Sequence, residues 1–384
     1  MQKLIEITEH PHLQVSSNIL KYEKPDYVYI PIPKNSTLLI KKDAVLSIGT
    51  PIINHNGTPI TSPISGKVVS IRKMHHLNII TDFIEIMNDF EERKVINPTI
   101  KRNIHNIKKE VLDKLLKMNF MLDLNNQKTI ILNCIDDDPY TFTENFYLFL
   151  NYEGYLELLD KLAKIYNFSR IIICVKSSNS ENINKLMECL GMYPNIILNI
   201  VPNLYFLGND KILLNHLNIP EKEALVIKAS KFYHISNLLL RNRQITNKLI
   251  TISGSCVKNP SIVRVKLGTK IKDVLDNFIK YESSNCEYII NSIMEGKNVS
   301  IEDLVITEDL QSLLIVPKKD IPPEEKCLNC GECLNICPVG INPILLKNAT
   351  YKKLVEEKCL KCGLCSYICP TYINFNKYME DNNE

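Results

Sequence analysis

Two copies of one cysteine pattern lie near the C-terminus and constrain this chain more than any other feature of its sequence. The first copy runs from Cys327 to Pro338 and the second from Cys359 to Pro370, and each has the form C-x2-C-x2-C-x3-C-P. Eight of the 13 cysteines fall in these two runs, whereas the other five are scattered singly. Cysteines clustered in this way in a reducing compartment indicate metal ligands rather than disulfides.

The spacing within each run is typical of proteins that bind two [4Fe–4S] clusters. Three thiolates at two-residue gaps allow one tight loop to wrap one corner of a cluster, and Gly331 and Gly363 permit the close backbone approach that this requires. The fourth cysteine lies on the helix that leaves the loop, so it reaches the other cluster. We therefore predict two ligand sets: Cys327, Cys330, Cys333 and Cys369 for the first cluster, and Cys359, Cys362, Cys365 and Cys337 for the second.

Structural zinc is the alternative interpretation of these cysteines. Zinc sites use paired C-x2-C elements with four ligands for each ion, and eight cysteines suffice for two such ions. Each run here adds a third cysteine two residues further on and then a fourth that is followed by proline, and the whole pattern is repeated. This arrangement fits clusters rather than zinc. Two clusters with crossed ligands must lie close together, which favours electron relay over a redox-inert structural role.

The rest of the chain divides into segments with different patterns of apolar residues. Residues 1–90 alternate short β-branched or aromatic runs with turn signals, which predicts a small β barrel or sandwich. Residues 91–245 alternate strand-like and helix-like stretches, which predicts an α/β layer with a mainly parallel sheet. Residues 246–305 predict a compact α+β unit, and residues 320–384 predict an α-helical dicluster module. The predicted fold class is therefore multidomain, with α/β and α+β parts.

Charge and hydropathy exclude some classes of protein. The 46 basic and 43 acidic side chains give a net charge of +3, and no basic run interleaves with aromatics, so a nucleic-acid binder is not expected. No stretch approaches the roughly 18 consecutive apolar residues of a membrane helix. The segment Met1–Glu6 is too polar for a secretory signal. We therefore expect a cytoplasmic protein that contacts a membrane only peripherally, through a partner.

The order of these parts resembles the Rnf-C subunit family of the Rnf electron-transport complex. Ser62–Val68 is similar to the family's barrel-sandwich hairpin, and Ile252–Pro260 followed by Val265–Thr269 is similar to its soluble-ligand-binding β-grasp domain. The two cysteine runs match without a gap. The resemblance implies an N-terminal β barrel-sandwich hybrid, a central domain that binds FMN and NADH, a β-grasp domain and a two-cluster ferredoxin-like domain.

The central segment departs from the family at three motifs of the flavin site. The family's glycine-rich loop, G-x-G-G-x-x-F-P-T, has its equivalent in Ile96–Lys128, which contains no glycine. Its N-G-A-E-C-E-P-Y and G-G-P-M-M-G motifs are eroded in Asn133–Tyr140 and Asn291–Gly296. A phosphate-binding loop needs glycines so that backbone N–H groups can approach the ligand. We therefore expect the α/β fold to be kept and FMN and NADH binding to be lost. Asp136 and Asp138 are remnants of the flavin pocket in this interpretation, with turn and cap roles favoured over the alternative role of cofactor ligands.

Three functions remain open at this point. The first is an Rnf-C-like subunit that relays electrons between a soluble donor and membrane partners of an ion-translocating complex, without an NADH dehydrogenase activity of its own. The second is a soluble Rnf-C-like carrier that serves a dedicated reductase of amino acids or cobalamin, which the missing flavin loop favours. The third is a non-catalytic docking scaffold with structural clusters, against which the crossed ligand pattern counts.

Overall fold

The computed structural model describes residues 19–95, 107–318 and 322–380. The polar N-terminal segment, the first part of the glycine-free stretch at residues 96–106, and the linker residues 319–321 lie outside this range. Among the described residues, no helix is both long enough and apolar enough to cross a membrane.

The N-terminal part is built from short strands separated by turns, as its sequence predicts. The strands are β1 (Leu20–Tyr22), β2 (Tyr27–Pro31), β3 (Ser36–Leu38), β4 (Val45–Leu46), β5 (Pro51–His55), β6 (Thr58–Thr61), β7 (Gly66–His76) and β8 (Ile79–Asn88). One sheet has the order β2-β8-β7-β4 and a smaller one has the order β3-β5-β6, and their neighbouring strands are antiparallel. Their inward side chains, such as Ile52, Val68 and Ile84, share one buried core.

The central part alternates helices and strands. Its elements are α1 (Lys109–Phe120), β9 (Thr129–Asn133), α2 (Thr143–Leu150), α3 (Tyr152–Tyr166), β10 (Arg170–Lys176), α4 (Ser180–Leu190), β11 (Ile196–Val201), α5 (Asp210–His216), β12 (Ala224–Lys228) and α6 (Ala229–Arg241). The four strands form a parallel sheet in the order β11-β10-β9-β12. The chain runs outward from β9 to β11 and then returns to the other side of β9. Because the strand order reverses there, the carboxyl ends of β9 and β12 form the crevice where open α/β sheets bind ligands.

The third part is a mixed sheet with one helix. Its elements are β13 (Asn247–Ser253), β14 (Ser261–Lys266), α7 (Ile271–Phe278), β15 (Cys286–Ile290), β16 (Lys297–Asn298) and β17 (Ser312–Pro317). The sheet order is β1-β14-β13-β17-β15-β16. Strand β1 therefore leaves the N-terminal segment and pairs in parallel with β14. The sheet also extends past the expected boundary at residue 305, because β17 pairs with both β13 and β15.

The C-terminal part consists of short helices between the cysteine loops. They are α8 (Glu332–Asn335), a 3₁₀ turn (Pro343–Lys347), α9 (Ala349–Lys358), α10 (Leu364–Tyr367) and α11 (Lys377–Glu380). A small apolar core that includes Leu346, Val355, Ile373 and Phe375 lies among the cysteines. Cys333 belongs to this core, and four other cysteines of the two motifs pack against it.

Candidate iron–sulfur sites

The two cysteine loops adopt the same backbone path. In the first loop Asn329 and Gly331 have φ angles of 54° and 80°, and in the second Lys361 and Gly363 have φ angles of 56° and 73°. Each glycine is the residue from which the short helix α8 or α10 begins. A left-handed backbone is easily adopted by glycine. The repeated motif therefore produces two matching loops.

Backbone N–H groups within the loops point at cysteine sulfurs. The Asn329 N–H donates to the Cys327 Sγ at 3.4 Å, and the Lys361 N–H donates to the Cys359 Sγ at 3.3 Å. Hydrogen bonds to sulfur favour the thiolate over the thiol. Each loop thus directs one backbone donor at the sulfur of its first cysteine.

The four cysteines of each predicted ligand set line one common pocket. The first pocket is lined by the first set and the second pocket by the second set. Cys369 from the second run lines the first pocket, and Cys337 from the first run lines the second pocket. The fold therefore groups the cysteines as the crossed assignment requires. Among the described residues, no three His, Cys, Asp or Glu side chains are arranged to hold a single metal ion.

The chemistry of the second pocket fits a cluster. Burial raises the pKa of Cys362 and of Cys365 to about 12, so these thiols stay protonated unless a metal replaces the proton. The walls include apolar side chains such as Val339 and Leu346, which keep water away. Four cysteine sulfurs around such a pocket match the donor set of a [4Fe–4S] cluster.

The first pocket differs from the second in its exposure. Its wall residues include Cys330, which is exposed, and Leu328, which is 67% exposed. In the second pocket Cys362 is 8% exposed and Leu364 is fully buried, within a core shared with the α/β domain. The first pocket therefore has exposed wall residues in its cysteine loop, and the second has buried wall residues in the equivalent loop.

Two contacts fasten the second cysteine loop to the rest of the protein. The buried Tyr205, in the loop after β11, donates its O–H to the Cys362 carbonyl oxygen at 2.9 Å. The Met294 carbonyl, in the loop after β15, lies so close to Gly363 that a Cβ there would be well inside 3.0 Å of it. The second pocket therefore sits where the α/β, third and C-terminal parts meet.

Both carboxylate oxygens of Asp136 and both of Asp138 accept hydrogen bonds from groups of the protein itself. Asp136 accepts the N–H groups of Glu144 and Asn145 at 2.8 and 3.3 Å, in the first turn of α2. One carboxylate oxygen of Asp138 accepts a hydrogen bond from the Tyr140 N–H at 2.8 Å. The other oxygen accepts two hydrogen bonds, also at 2.8 Å, from the Ser292 hydroxyl and from the N–H of the residue after Ser292. Burial, together with the charge of Glu144, raises the pKa of Asp136 to about 7. Both carboxylates therefore accept hydrogen bonds mainly from backbone N–H groups, as the side chains of turn and cap residues do.

The crevice at the carboxyl ends of β9 and β12 is occupied by side chains of the protein itself. The Lys228 ammonium donates to the Asp137 carboxylate at 3.1 Å and to the carbonyl oxygens of Ile135 and Gly208 at 3.2 and 2.9 Å. The side-chain amide of Asn133 donates to the same Gly208 oxygen at 2.7 Å. No motif in the sequence marks Lys228, because only the sheet order places it beside β9.

Comparisons with known proteins match two parts of the chain to family models. Residues 322–375 match the 4Fe-4S dicluster domain, and residues 113–237 match the Nuo51 FMN-binding domain. The second match supports the expectation that the central domain keeps its fold. It does not confirm the expected loss of flavin binding.

The chain is also similar to three curated relatives, each the C subunit of an ion-translocating oxidoreductase complex. The C subunit of the Na(+)-translocating ferredoxin:NAD(+) oxidoreductase complex of Acetobacterium woodii is 20% identical over 84% of this chain and 81% of its own. Its proton-translocating counterpart from Clostridium ljungdahlii is 25% identical over 59% of this chain and 52% of its own. The counterpart from Vibrio cholerae is 20% identical over 87% of this chain and 48% of its own. The matched region thus covers about half of the last two relatives, and the predicted resemblance to the Rnf-C family is confirmed.

Proposed function

We propose that this Rnf-C-like chain passes single electrons through two [4Fe–4S] clusters, as a peripheral subunit on the cytoplasmic face of an ion-translocating membrane complex. The observation that carries the proposal is the pair of four-cysteine pockets within one dicluster domain. The names of the relatives supply the membrane complex as the partner.

The cysteines divide between the clusters as the pockets group them. We assign Cys327, Cys330, Cys333 and Cys369 to the first cluster, and Cys359, Cys362, Cys365 and Cys337 to the second. Each cluster, when bound, accepts and releases one electron. The loops hold the thiolates and offset their charge with the N–H groups of Asn329 and Lys361. The four-domain division is kept in this proposal, with the third domain extended through Pro317.

The different exposure of the pockets suggests where electrons cross the protein surface. The first pocket opens near Cys330 and Leu328, so a partner protein can bring its redox centre close to the first cluster. The second pocket is shielded by the α/β domain around Tyr205. Electrons would therefore be exchanged with a protein partner through the first cluster, and the second would extend the path toward the interior.

We further propose that the relay works without FMN or NADH. The connection from α1 to β9, Met121–Lys128, has eight residues and no glycine, so it offers no glycine-rich phosphate loop. At the neighbouring crevice the Lys228 ammonium, bonded to Asp137, stands where a nucleotide would bind to an open α/β sheet. These observations also favour a second candidate function, in which the same relay serves a soluble reductase of amino acids or cobalamin instead of the membrane complex.

The test is an anaerobic purification followed by counts of iron, sulfide, zinc and flavin, and by addition of NADH. We expect about eight irons per chain, no flavin, and no bleaching of the cluster absorbance by NADH. Zinc in place of iron would overturn the relay itself. Bound FMN with bleaching by NADH would overturn only the cluster-only interpretation of the central domain.

The choice between the two partners needs a separate measurement on native cells. Chain that sediments with washed membranes and is released by alkaline carbonate supports the membrane complex. Chain that stays in the soluble fraction at low salt, together with a reductase, supports the second candidate.

A further inference from the structure

Asn376 brings a polar side chain to the second cysteine pocket from outside both cysteine motifs. It lies between the buried Phe375 and helix α11, and it lines the pocket together with the four cysteines of the second set. Its backbone N–H donates to the Asn374 side-chain oxygen at 3.1 Å, which sets the local turn. The cysteine motifs give no reason to expect an asparagine here.

The amide oxygen of Asn376 is buried and has no hydrogen-bond partner within the part of the chain that the structure describes. A buried acceptor without a donor is unfavourable. The oxygen and nitrogen ends of an asparagine amide have nearly the same shape, so a half-turn of the amide exchanges them without altering the packing. In that orientation an N–H group takes the place of the buried oxygen of this pocket-lining residue.

The chemistry of the pocket favours the N–H orientation. Four thiolates and a cluster make a negatively charged occupant, which repels a carbonyl oxygen and attracts an N–H donor. The described wall residues other than cysteines are apolar except for Asn376 and Lys361. Lys361 lies in the exposed part of the loop, where its backbone N–H already serves Cys359.

We propose that the side-chain amide of Asn376 donates a hydrogen bond to sulfur of the second cluster and raises the reduction potential of that cluster. The proposal rests on the proposed function, because it requires a cluster in this pocket. Reduction adds negative charge, so a donor stabilises the reduced state more than the oxidised state. Burial acts in the opposite direction by disfavouring added charge, and the amide offsets part of that effect.

The first pocket lacks an equivalent amide among its described wall residues. Polar side chains still lie near two predicted ligands of the first set: the Cys327 Sγ is 3.7 Å from the Asn329 side-chain oxygen, and the Cys369 Sγ is 3.3 Å from the Thr371 hydroxyl. Because Asn376 lines only the second pocket, we expect its effect to be larger on the second cluster than on the first. The first cluster then serves as an internal reference in any measurement of potential.

The test is an anaerobic redox titration followed by EPR, on the wild-type chain and the variants Asn376→Leu, Asn376→Ala and Asn376→Asp. Asn335→Leu is the matched control, since Asn335 is an exposed asparagine of the same domain that lines neither pocket. We expect Asn376→Leu to shift the second cluster's reduction equilibrium about tenfold toward the oxidised form, about 59 mV for one electron. We expect the neutral variant Asn376→Ala, which also lacks the N–H donor, to shift it in the same direction, whereas Asn376→Asp adds a carboxylate whose charge by itself lowers the potential.

The outcomes separate this proposal from the proposed function. A full iron count with no shift, with a positive shift, or with equal shifts of both clusters overturns the role of Asn376 and leaves the relay intact. A wild-type chain that binds no clusters overturns the relay itself. If the leucine variant does not load iron, the neutral alanine variant decides the matter.

Discussion

Gly363 of the C-terminal part lies against the backbone of Met294 in the third part, and replacing it by alanine tests that junction. Gly331 occupies the same position in the first loop and is the matched control. Both residues have left-handed φ angles, 73° and 80°. A Cβ on Gly363 would fall within 3.0 Å of the Met294 carbonyl, whereas a Cβ on Gly331 would meet nothing within 4 Å.

The expected magnitudes follow from these two environments. A left-handed alanine costs about 1–2 kcal/mol at either position. Overpacking against the Met294 backbone adds about 1–3 kcal/mol at Gly363 alone, because a backbone carbonyl cannot turn aside as a side chain can. We expect Gly331→Ala to lower the free energy of unfolding by about 1–2 kcal/mol, and Gly363→Ala to lower it by about 2–5 kcal/mol, on the sum of these terms.

The assay is anaerobic urea unfolding of the cluster-loaded chains, followed by circular dichroism and by cluster absorbance, with the midpoints compared at equal slope. Limited proteolysis of the linker provides a second readout, since a loosened junction exposes it. Equal losses of stability in the two variants would refute the reasoning, because only Gly363 has a neighbour to collide with. A larger loss for Gly331→Ala would refute it as well.

Two further predictions concern the ligand sets and the central domain. Cys369→Ser should remove the EPR signal of the cluster held mainly by the first motif, together with the coupling of that cluster to the other one. The control variant Cys189→Ser should leave both signals. Loss confined to the cluster of the second motif would contradict the crossed assignment. For Asp136, burial raises the pKa from 3.8 to about 7, so its contribution to stability is fully present below about pH 4 and is lost as the pH rises through about 7. We expect the free energy of unfolding of the central domain to fall across this range, and to fall less in Asp136→Asn. Equal slopes in the two proteins would show that another group is responsible.

Much of the candidate site could be predicted because it is encoded over short distances. The backbone path of each cysteine loop depends on torsion angles within a few residues, so the repeated motif and its glycines suffice to predict two matching loops. The alternation of strands and helices in the central domain is local in the same way. The absence of glycine before Lys128 is likewise visible in the chain alone.

Contacts between distant residues could not be predicted. Strand β1 lies in the third sheet and β17 lies beyond the expected boundary, because strand partners are chosen by packing and not by local pattern. Lys228 reaches the crevice only because β12 pairs with β9.

The amino-acid sequence by itself predicted the ligand cysteines and determined the loops that carry them, since both depend on spacing along the chain. The tertiary structure decided the surroundings of each pocket. It placed Tyr205 and Met294 against the second loop, Asn376 in the wall of the second pocket, and Cys330 at the surface. The physical reason is that burial, and therefore charge stabilisation at a cluster, is a property of the whole packed molecule, to which residues far apart in the chain contribute.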